Sequence, residues 1–430
     1  MKRLMILIFM GLILGGLGLM VNHVAAGGST IVVTTTADVD VNIDGQCSLR
    51  EAIIAANTNT PSGIVLGECP AGSDTSEDFI VLTSGESYTL AIAGKDEDAG
   101  LTGDLDIVDD IDSEILADVV IITDEAGQAT IDGAGVDRVL HLLGARVRLD
   151  NLVVRGGNPG AASGGGVLNE SGHLAVSDSQ IILNESSLGG GIASKEGELR
   201  LTDVIVRINV ATQGGGLGLV GNTAVSLNNS DITLNTANEG GGIYADAANG
   251  AITIEGGSVS NNGTASGAGG GLYVASSSPV TIDQTSISEN ETTSGVEVGH
   301  GAGIYMGDAA SMLHVRNASI EQNTADAFGG GIFSHGTVVM TRTMVMSNTA
   351  VSGGGVHISE GQQITVTSSG FVHNAAMGNA GGGIMAAKAS LVASTVSQNS
   401  AVVGAGIYAD ELTATYVEFV NNRADSWGGA

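Results

Sequence analysis

The sequence predicts an all-β fold: a single-stranded parallel β-helix, in which short strands coil around one core. Three observations predict it. One phrase, apolar-x-apolar, four residues, apolar-x-x-Asn and then a glycine cluster, occurs ten times. Glycine supplies 67 of 430 residues while only 13 are aromatic (1 Trp, 6 Tyr and 6 Phe), which favours thin regular layers over one bulky core. Apolar residues make up 43% of the chain, so intrinsic disorder is not expected.

Each repeat ends on an asparagine, and the ten copies span 238 residues in nine intervals of about 26 residues. A fixed period in this range is typical of solenoids. Stacked turns let each amide bond to the copies above and below, and asparagine tolerates the left-handed backbone of a tight turn. We therefore expect a structural Asn column. Its members are Asn184, Asn209, Asn235, Asn262, Asn290, Asn323, Asn348, Asn374, Asn399 and Asn422.

The spacing within the repeat selects the kind of solenoid. Apolar positions two apart indicate strands, and no segment of the repeat shows the helical i, i+3, i+4, i+7 pattern. Leucine-rich, ankyrin and tetratricopeptide designs are thereby excluded, and a propeller blade needs about 40–45 residues. The glycine clusters mark a second turn that needs positive φ or close backbone approach. Two or three short strands per coil predict a parallel β-helix.

An aromatic column is expected two residues after the glycine clusters. Its flanking positions are mostly apolar, so strand alternation points this column outward. The aromatic members are Tyr244, Tyr273, Tyr305, Phe333 and Tyr408. Such an exposed stripe is a candidate docking strip for a glycan or a protein. The alternative is stacking of like side chains that only stabilises the coils.

The chain begins with features of a secretory signal peptide at residues 1–26. A basic start precedes an apolar run over residues 4–21, and small residues lead to predicted cleavage after Ala26. A membrane anchor is the alternative, since 18 apolar residues just suffice to span a bilayer. We expect an N-terminal cap over 27–75 and the β-helix over 76–430, with clear repeats from 167. Because residues 428–430 stop within a glycine turn, the chain is expected to be truncated.

The two cysteines, Cys47 and Cys69, predict one disulfide in an exported chain, with a metal site as the weaker alternative. Around them, residues 47–53 read CSLREAI, followed by AAN at 55–57. This motif resembles the signature of bacterial CSLREA-domain proteins. FVHN at 371–374 and FVNN at 419–422, alternating with GGGI, are similar to the FxxN and GGA[ILV] repeats of polymorphic outer-membrane proteins. The resemblance implies an exported, right-handed, pectate-lyase-like β-helix, often surface-displayed, with adhesion-type or unknown roles and no catalytic residue to transfer.

The same N-terminal segment allows two structural interpretations. Ser48 and Glu51 form a capping-box pattern that predicts a short capping helix. Asp40, Asn42, Asp44 and Glu51 also match the twelve-residue calcium-loop expression, with Gly45 at its sharp turn. A strand-like segment replaces the entering helix of an EF-hand, so an acidic turn feeding a helix is the alternative.

A second acidic group, at residues 104–112, is rich enough in carboxylates for a hard cation. Alternation points Leu105 and Ile107 inward, and we expect the acids to be the solvated face of a strand.

The formal net charge of −31 argues against nucleic acid as a partner. We expect an exported non-catalytic scaffold, secreted or at the cell surface or outer membrane, with an adhesion or structural role and an unidentified glycan or protein partner. The alternative is a polysaccharide-active lyase or hydrolase, which needs converging acids or bases. Few bases are present in the repeats, and the histidines of 314–373 show no metal-ligand spacing. Calcium-stabilised folding is a third possibility.

Overall fold

The computed structural model describes residues 28–39, 43–95, 97–109, 117–246, 250–293 and 298–429. These residues form a parallel β-helix of about 12 turns with one helix, α1 (Leu49–Thr58), near the N-terminus. The β-helix prediction is confirmed, and the coil is consistent with a right-handed one. The signal-peptide residues 1–26 lie outside the described residues.

Four ladders of parallel strands run along the coil. We number them in the order in which one repeat passes through them: ladder 1 follows the glycine turn, ladders 2 and 3 follow, and ladder 4 comes after the column asparagine. Ladders 1 and 2 join into one 22-stranded sheet because four long strands cross both. Ladder 3 has 13 strands and ladder 4 has 10.

The strands of ladder 1 are Leu105–Val108, Leu140–Leu143, Val167–Glu170, Ile243–Asp246, Leu272–Val274, Ile304–Met306, Ile332–Ser334 and Val356–Ile358. Those of ladder 2 are Ser29–Val32, Asp78–Leu82, Val119–Thr123, Arg146–Asp150, His173–Ser177, Ile252–Glu255, Val280–Asp283, Met312–Arg316, Thr337–Thr341 and Gln363–Thr367. The strands that cross both are Ile192–Thr202, Leu217–Asn228, Ile384–Val392 and Ile407–Thr415.

The strands of ladder 3 are Ser87–Thr89, Ala129–Asp132, Leu152–Arg155, Gln180–Ile182, Ile205–Arg207, Asp231–Thr233, Ser258–Ser260, Ser286–Ser288, Ser319–Glu321, Met344–Met346, Gly370–Val372, Thr395–Ser397 and Glu418–Val420. Those of ladder 4 are Glu185–Leu188, Val210–Gln213, Thr236–Ala237, Gly263–Thr264, Glu291–Thr292, Thr324–Ala325, Thr349–Ala350, Ala375–Ala376, Ser400–Val403 and Arg423–Trp427.

The core is a continuous stack of aliphatic side chains inside the coil. In the coil that starts at Gly240, the residues Ile243, Ile252, Ile254 and Val259 are at most 1% exposed. In-register pairing places equivalent residues of successive coils on top of one another, for example Ile243 on Leu272. The period-2 pattern in the sequence therefore becomes apolar columns along ladders 1, 2 and 3.

The Asn column closes the turn between ladders 3 and 4. Side-chain amides donate to the Oδ1 atom of the next column member at 2.9–3.1 Å along the whole series. The predicted amide column is thus confirmed. The expectation of a left-handed backbone is wrong for the asparagines themselves. The residue before each one has positive φ, including Leu183 (58°), Ile208 (55°) and His373 (55°).

Glycine is required at this turn for two separate reasons. In the cluster 240–242, Gly240 has φ +60°. A Cβ on Gly241 would lie 2.4 Å from the carbonyl oxygen of Gly263 and 2.6 Å from that of Gly270 in the next coil. The first glycine is therefore required by backbone conformation and the second by the close approach of stacked coils.

Helix α1 lies against the first strands of the solenoid. The Ser48 and Glu51 capping box is present, and the Cys47–Cys69 disulfide joins two segments whose Cα atoms are 4.8 Å apart. Asn57 of α1 donates from Nδ2 to the carbonyl of Asp106 (2.7 Å) and accepts from the backbone N of Val108 (3.2 Å). Through this side chain, α1 satisfies backbone groups of the first strand of ladder 1.

Candidate functional site

The aromatic column of ladder 1 forms a continuous stack of rings. Parallel register places Tyr244, Tyr273, Tyr305 and Phe333 directly above one another. Their ring centroids are 5.3, 4.8 and 5.4 Å apart, with interplanar angles of at most 15°. The stack continues from Phe333 to His357 at 5.2 Å. Strand spacing alone brings these rings to stacking distance.

A second line of rings lies beside Tyr305, Phe333 and His357 of this column. His300 and Phe328 each precede a glycine turn, and their ring centroids are 5.1 Å apart. His300 stacks on Phe333 at 4.8 Å, and Phe328 stacks on His357 at 4.9 Å. His357 lies two residues after a glycine cluster, as the aromatic members of the column do. His300 and Phe328 reach the column from the loop between ladders 4 and 1, so the repeat pattern does not predict them.

The expectation of an exposed stripe is wrong for most of the column. Tyr244 is 8% and Phe333 5% exposed, and Tyr273 and Tyr305 are half-buried. Tyr408 is 41% exposed and pairs in register with Met385, so an aliphatic side chain separates it from the stacked rings. Each ring covers the face of its neighbour, so the faces inside the stack are not accessible to a ligand.

Acidic and amide groups border the end of the column that Tyr244 and Tyr273 form. The side chain of Gln213 donates to Oε2 of Glu239 at 3.0 Å. Burial raises the pKa of Tyr273, with a further contribution from the negative charge of Glu239, and burial likewise raises the pKa of Tyr305. The phenols therefore stay protonated and remain hydrogen-bond donors.

The other end of the column is formed by histidine and phenylalanine rings. Burial lowers the pKa of His357 to about 4, and the nearby charges of His300 and His335 contribute in the same direction. His335 meets Phe333 edge-on with centroids 4.9 Å apart, and its Nδ1 lies 2.8 Å from the hydroxyl of Ser359. At neutral pH the His357 ring is uncharged and packs as an aromatic side chain.

A second polar group lies where α1 contacts the first strand of ladder 1. Alternation does point Leu105 and Ile107 inward, but the expectation that the neighbouring acids are solvated is wrong. Asp104 is 2% and Asp106 0% exposed. The loop before the strand folds back over them, and the backbone N of Gly100 donates to Asp106 Oδ2 at 2.8 Å. The covering loop lies outside the repeats, so the repeat pattern does not predict that Asp104 and Asp106 are buried.

Charged partners accompany these buried acids. Arg138 Nε lies 2.8 Å from Asp104 Oδ2, and His141 Nδ1 lies 3.1 Å from Asp106 Oδ1. Burial, together with the charge of Asp106, raises the pKa of Asp104 to about 7, while Arg138 opposes the shift. Asp98, Asp106 and His141 hold ligand atoms within 4.8 Å of one another. His141 was missed because its neighbourhood is set by register with Asp106, 35 residues earlier.

The calcium-loop residues are only partly described. Asp40 and Asn42 lie outside the described residues. Glu51 is buried, and its Oε2 accepts the backbone N–H of Ser48 at 3.0 Å in the capping box. Asp44 Oδ1 accepts the backbone N–H of Gln46 at 2.9 Å. Calcium binding at this loop stays a prediction.

Within the residues that the structure describes, no helix has the length and apolar character needed to span a bilayer. No protein-family model matches the chain, and neither a curated protein nor a solved structure matches it.

Proposed function

We propose that the chain is an exported, non-catalytic β-helix scaffold with an adhesion or structural role. The Asn column carries this proposal. Nine of its ten members are at most 1% exposed, and each coil is tied to the next by side-chain amides as well as by strand pairing. Such a column stiffens the coil along its axis, which is what a protein that holds a binding surface away from its attachment point requires.

The dimensions suit this role. Ladder 3 stacks 13 strands. At about 4.8 Å between strands, it extends for roughly 58 Å. Because successive coils repeat the same side chains in register, one row of chemically similar groups extends over much of this length. A repeating ligand such as a polysaccharide can contact several equivalent groups of such a row at once.

The aromatic column is the surface that we propose for the ligand. Ring faces are covered within the stack, so recognition occurs through the phenol hydroxyls of Tyr273 and Tyr305 and through the neighbouring Glu239. Protonated phenols donate hydrogen bonds, and the carboxylate accepts them from sugar hydroxyls. The net charge of −31 disfavours polyanionic ligands, so an uncharged glycan is the partner that the surface fits best.

The test separates binding from packing. The Tyr273→Phe/Tyr305→Phe double variant keeps both rings and removes both hydroxyls. On immobilised neutral polysaccharides, we expect binding of the full chain to fall at least about tenfold, since each lost hydrogen bond is worth about 1 kcal/mol. Tyr416→Phe is the matched control, because Tyr416 is 89% exposed and lies outside the column. Equal binding by the double variant and the control would leave the column a purely structural element.

A further inference from the structure

The register of ladder 1 places a histidine beside a buried carboxylate under the cap. His141 pairs with Asp106 across neighbouring strands, and its side chain is 7% exposed while that of Asp106 is fully buried. Glu170 extends from the next coil toward the other side of the imidazole. Both ring nitrogens of one histidine thus face carboxylates, Asp106 through Nδ1 at 3.1 Å and Glu170 through Nε2 at 3.3 Å.

This arrangement allows the two nitrogens to take different tasks. When Nε2–H donates to Glu170, the Nδ1 atom carries a lone pair that points at Asp106 Oδ1. Asp98 Oδ1 lies 3.8 Å from the same Nδ1. Three electron-rich atoms then converge without a proton between them, which is unfavourable unless a cation lies at their centre. A carboxylate that accepts the second ring N–H of a ligating histidine is the usual outer support of a metal site.

The groups around the site are held in place before any ion binds. Asp106 Oδ2 accepts the backbone N–H of Gly100 at 2.8 Å, which orients the other oxygen toward His141. The guanidinium of Arg50, fully buried, donates to the carbonyls of Gly100 and Gly103 at 2.8 Å each. Arg50 is itself fixed by an ion pair with Asp38 at 2.7 Å. This network fixes the loop that covers Asp106.

We propose that Asp98, Asp106 and His141 bind a divalent first-row transition-metal ion, with Zn²⁺ as the best-matched ion. One imidazole nitrogen and two carboxylate oxygens suit zinc better than calcium, which prefers oxygen ligands throughout. In tetrahedral zinc sites, ligand atoms are about 3.3–3.6 Å apart, as follows from metal–ligand distances of about 2.0–2.2 Å. The distance from His141 Nδ1 to Asp106 Oδ1, 3.1 Å, is slightly below that range, and the distance to Asp98 Oδ1, 3.8 Å, is slightly above it. The Asp98 side chain is 71% exposed and can close the remaining gap, leaving a fourth position for water.

The experiment is a competition between the full purified chain and a chromophoric chelator for Zn²⁺. We expect one tight equivalent, and an at least tenfold weaker affinity in Asp98→Asn. Because Asp98 is exposed, this variant should keep the metal-free melting temperature of the parent. Glu125→Gln removes an exposed carboxylate from another loop and controls for nonspecific attraction to an acidic surface. Equal affinity in Asp98→Asn and Glu125→Gln would overturn the proposal, as would no tight equivalent in the parent.

A second measurement tests the histidine itself. Zn²⁺ should shift the imidazole signals of His141 in an NMR spectrum of ring nitrogens, with Nδ1 as the perturbed atom. Glu170→Gln keeps a hydrogen-bond acceptor for Nε2–H and should weaken binding less than Asp98→Asn. Unchanged His141 signals at saturating Zn²⁺ would show that Nδ1 does not bind the ion, and the proposal would fail.

Discussion

Asn262 donates twice to one oxygen of Asn290, from its backbone N at 3.0 Å and from its side-chain Nδ2 at 3.1 Å. The same Nδ2 also donates to the carbonyl of Ile232 in the preceding coil at 2.8 Å. One side chain therefore joins three successive coils. Because the amides are buried, each bond has no competition from water, and losing one leaves polar groups unsatisfied.

Replacing one column member should destabilise the whole solenoid. Asn290→Ala removes the acceptor for two N–H groups of Asn262 and leaves the carbonyl of Val259 without its 2.9 Å amide donor. We expect a loss of about 3 kcal/mol in the free energy of unfolding, measured by urea denaturation. Asn222→Ala, at an exposed strand position, should change it by less than about 0.5 kcal/mol. Similar small effects from both variants would contradict a stabilising role for the column.

The close approach of coils at the glycine turn leads to a second prediction, on the stability of glycine-to-alanine variants. Gly241→Ala places a Cβ 2.4 Å from a backbone oxygen of the next coil and should cost about 3 kcal/mol in unfolding free energy. Gly263→Ala is the matched control, because its nearest contact would be 3.9 Å away and its φ is not positive. Thermal denaturation of the two variants compares them directly. Equal or larger destabilisation in Gly263→Ala would show that the close approach of stacked coils does not set the requirement for glycine at position 241.

The low pKa of His357 predicts acid sensitivity. The folded chain holds this imidazole neutral down to about pH 4, while the unfolded chain takes up the proton near 6.5. The resulting stabilisation is complete above pH 6.5 and is lost as the pH falls from 6.5 to 4, by at most about 3 kcal/mol. His357→Phe keeps a ring against Phe333 and Phe328 and lacks this titration. Between pH 6.5 and 4, its stability should decline less than that of the parent. Equal declines in the two proteins would contradict the low pKa assigned to His357.

The disulfide predicts a redox-dependent cap. Reducing Cys47–Cys69 releases a loop with a sequence separation of 22 and should lower the stability of the cap by about 3 kcal/mol. Hydrogen exchange of the α1 amides under native conditions measures this locally. The Cys47→Ser/Cys69→Ser variant should show the same exchange with and without reductant. Unchanged α1 exchange on reduction of the parent would mean that Asn57 and Arg50 hold the cap unaided.

Much of the fold was predictable because the repeat is in register with itself. Once apolar positions recur two apart and an asparagine recurs about every 26 residues, stacking follows from strand geometry. The left-handed conformation was predicted for the column asparagines, because asparagine tolerates it. It belongs to the residue before each of them. The structure shows bulky Leu183 and Ile208 in that conformation instead. Stacking of ten equivalent turns overrides their local preference.

The site was less predictable because its members meet through long-range contacts. Alternation correctly assigned Asp106 to the outer surface of its strand, but burial depends on a loop fixed by Arg50 of α1. His141 meets Asp106 only through strand register. In the aromatic column, equal phase predicted the stack, whereas His300 and Phe328 enter from loops of irregular length. Patterns within one repeat cannot report contacts made by segments outside it.

The central claim, a scaffold that binds a glycan without transforming it, is tested most directly by recovering the ligand. A neutral polysaccharide of defined length, captured by the full chain, is incubated, eluted and analysed for chain length and new reducing or unsaturated ends. We predict that it is recovered intact and that its capture depends on the hydroxyls of Tyr273 and Tyr305. Shortened products that accumulate with time would contradict the claim and establish a polysaccharide-active enzyme.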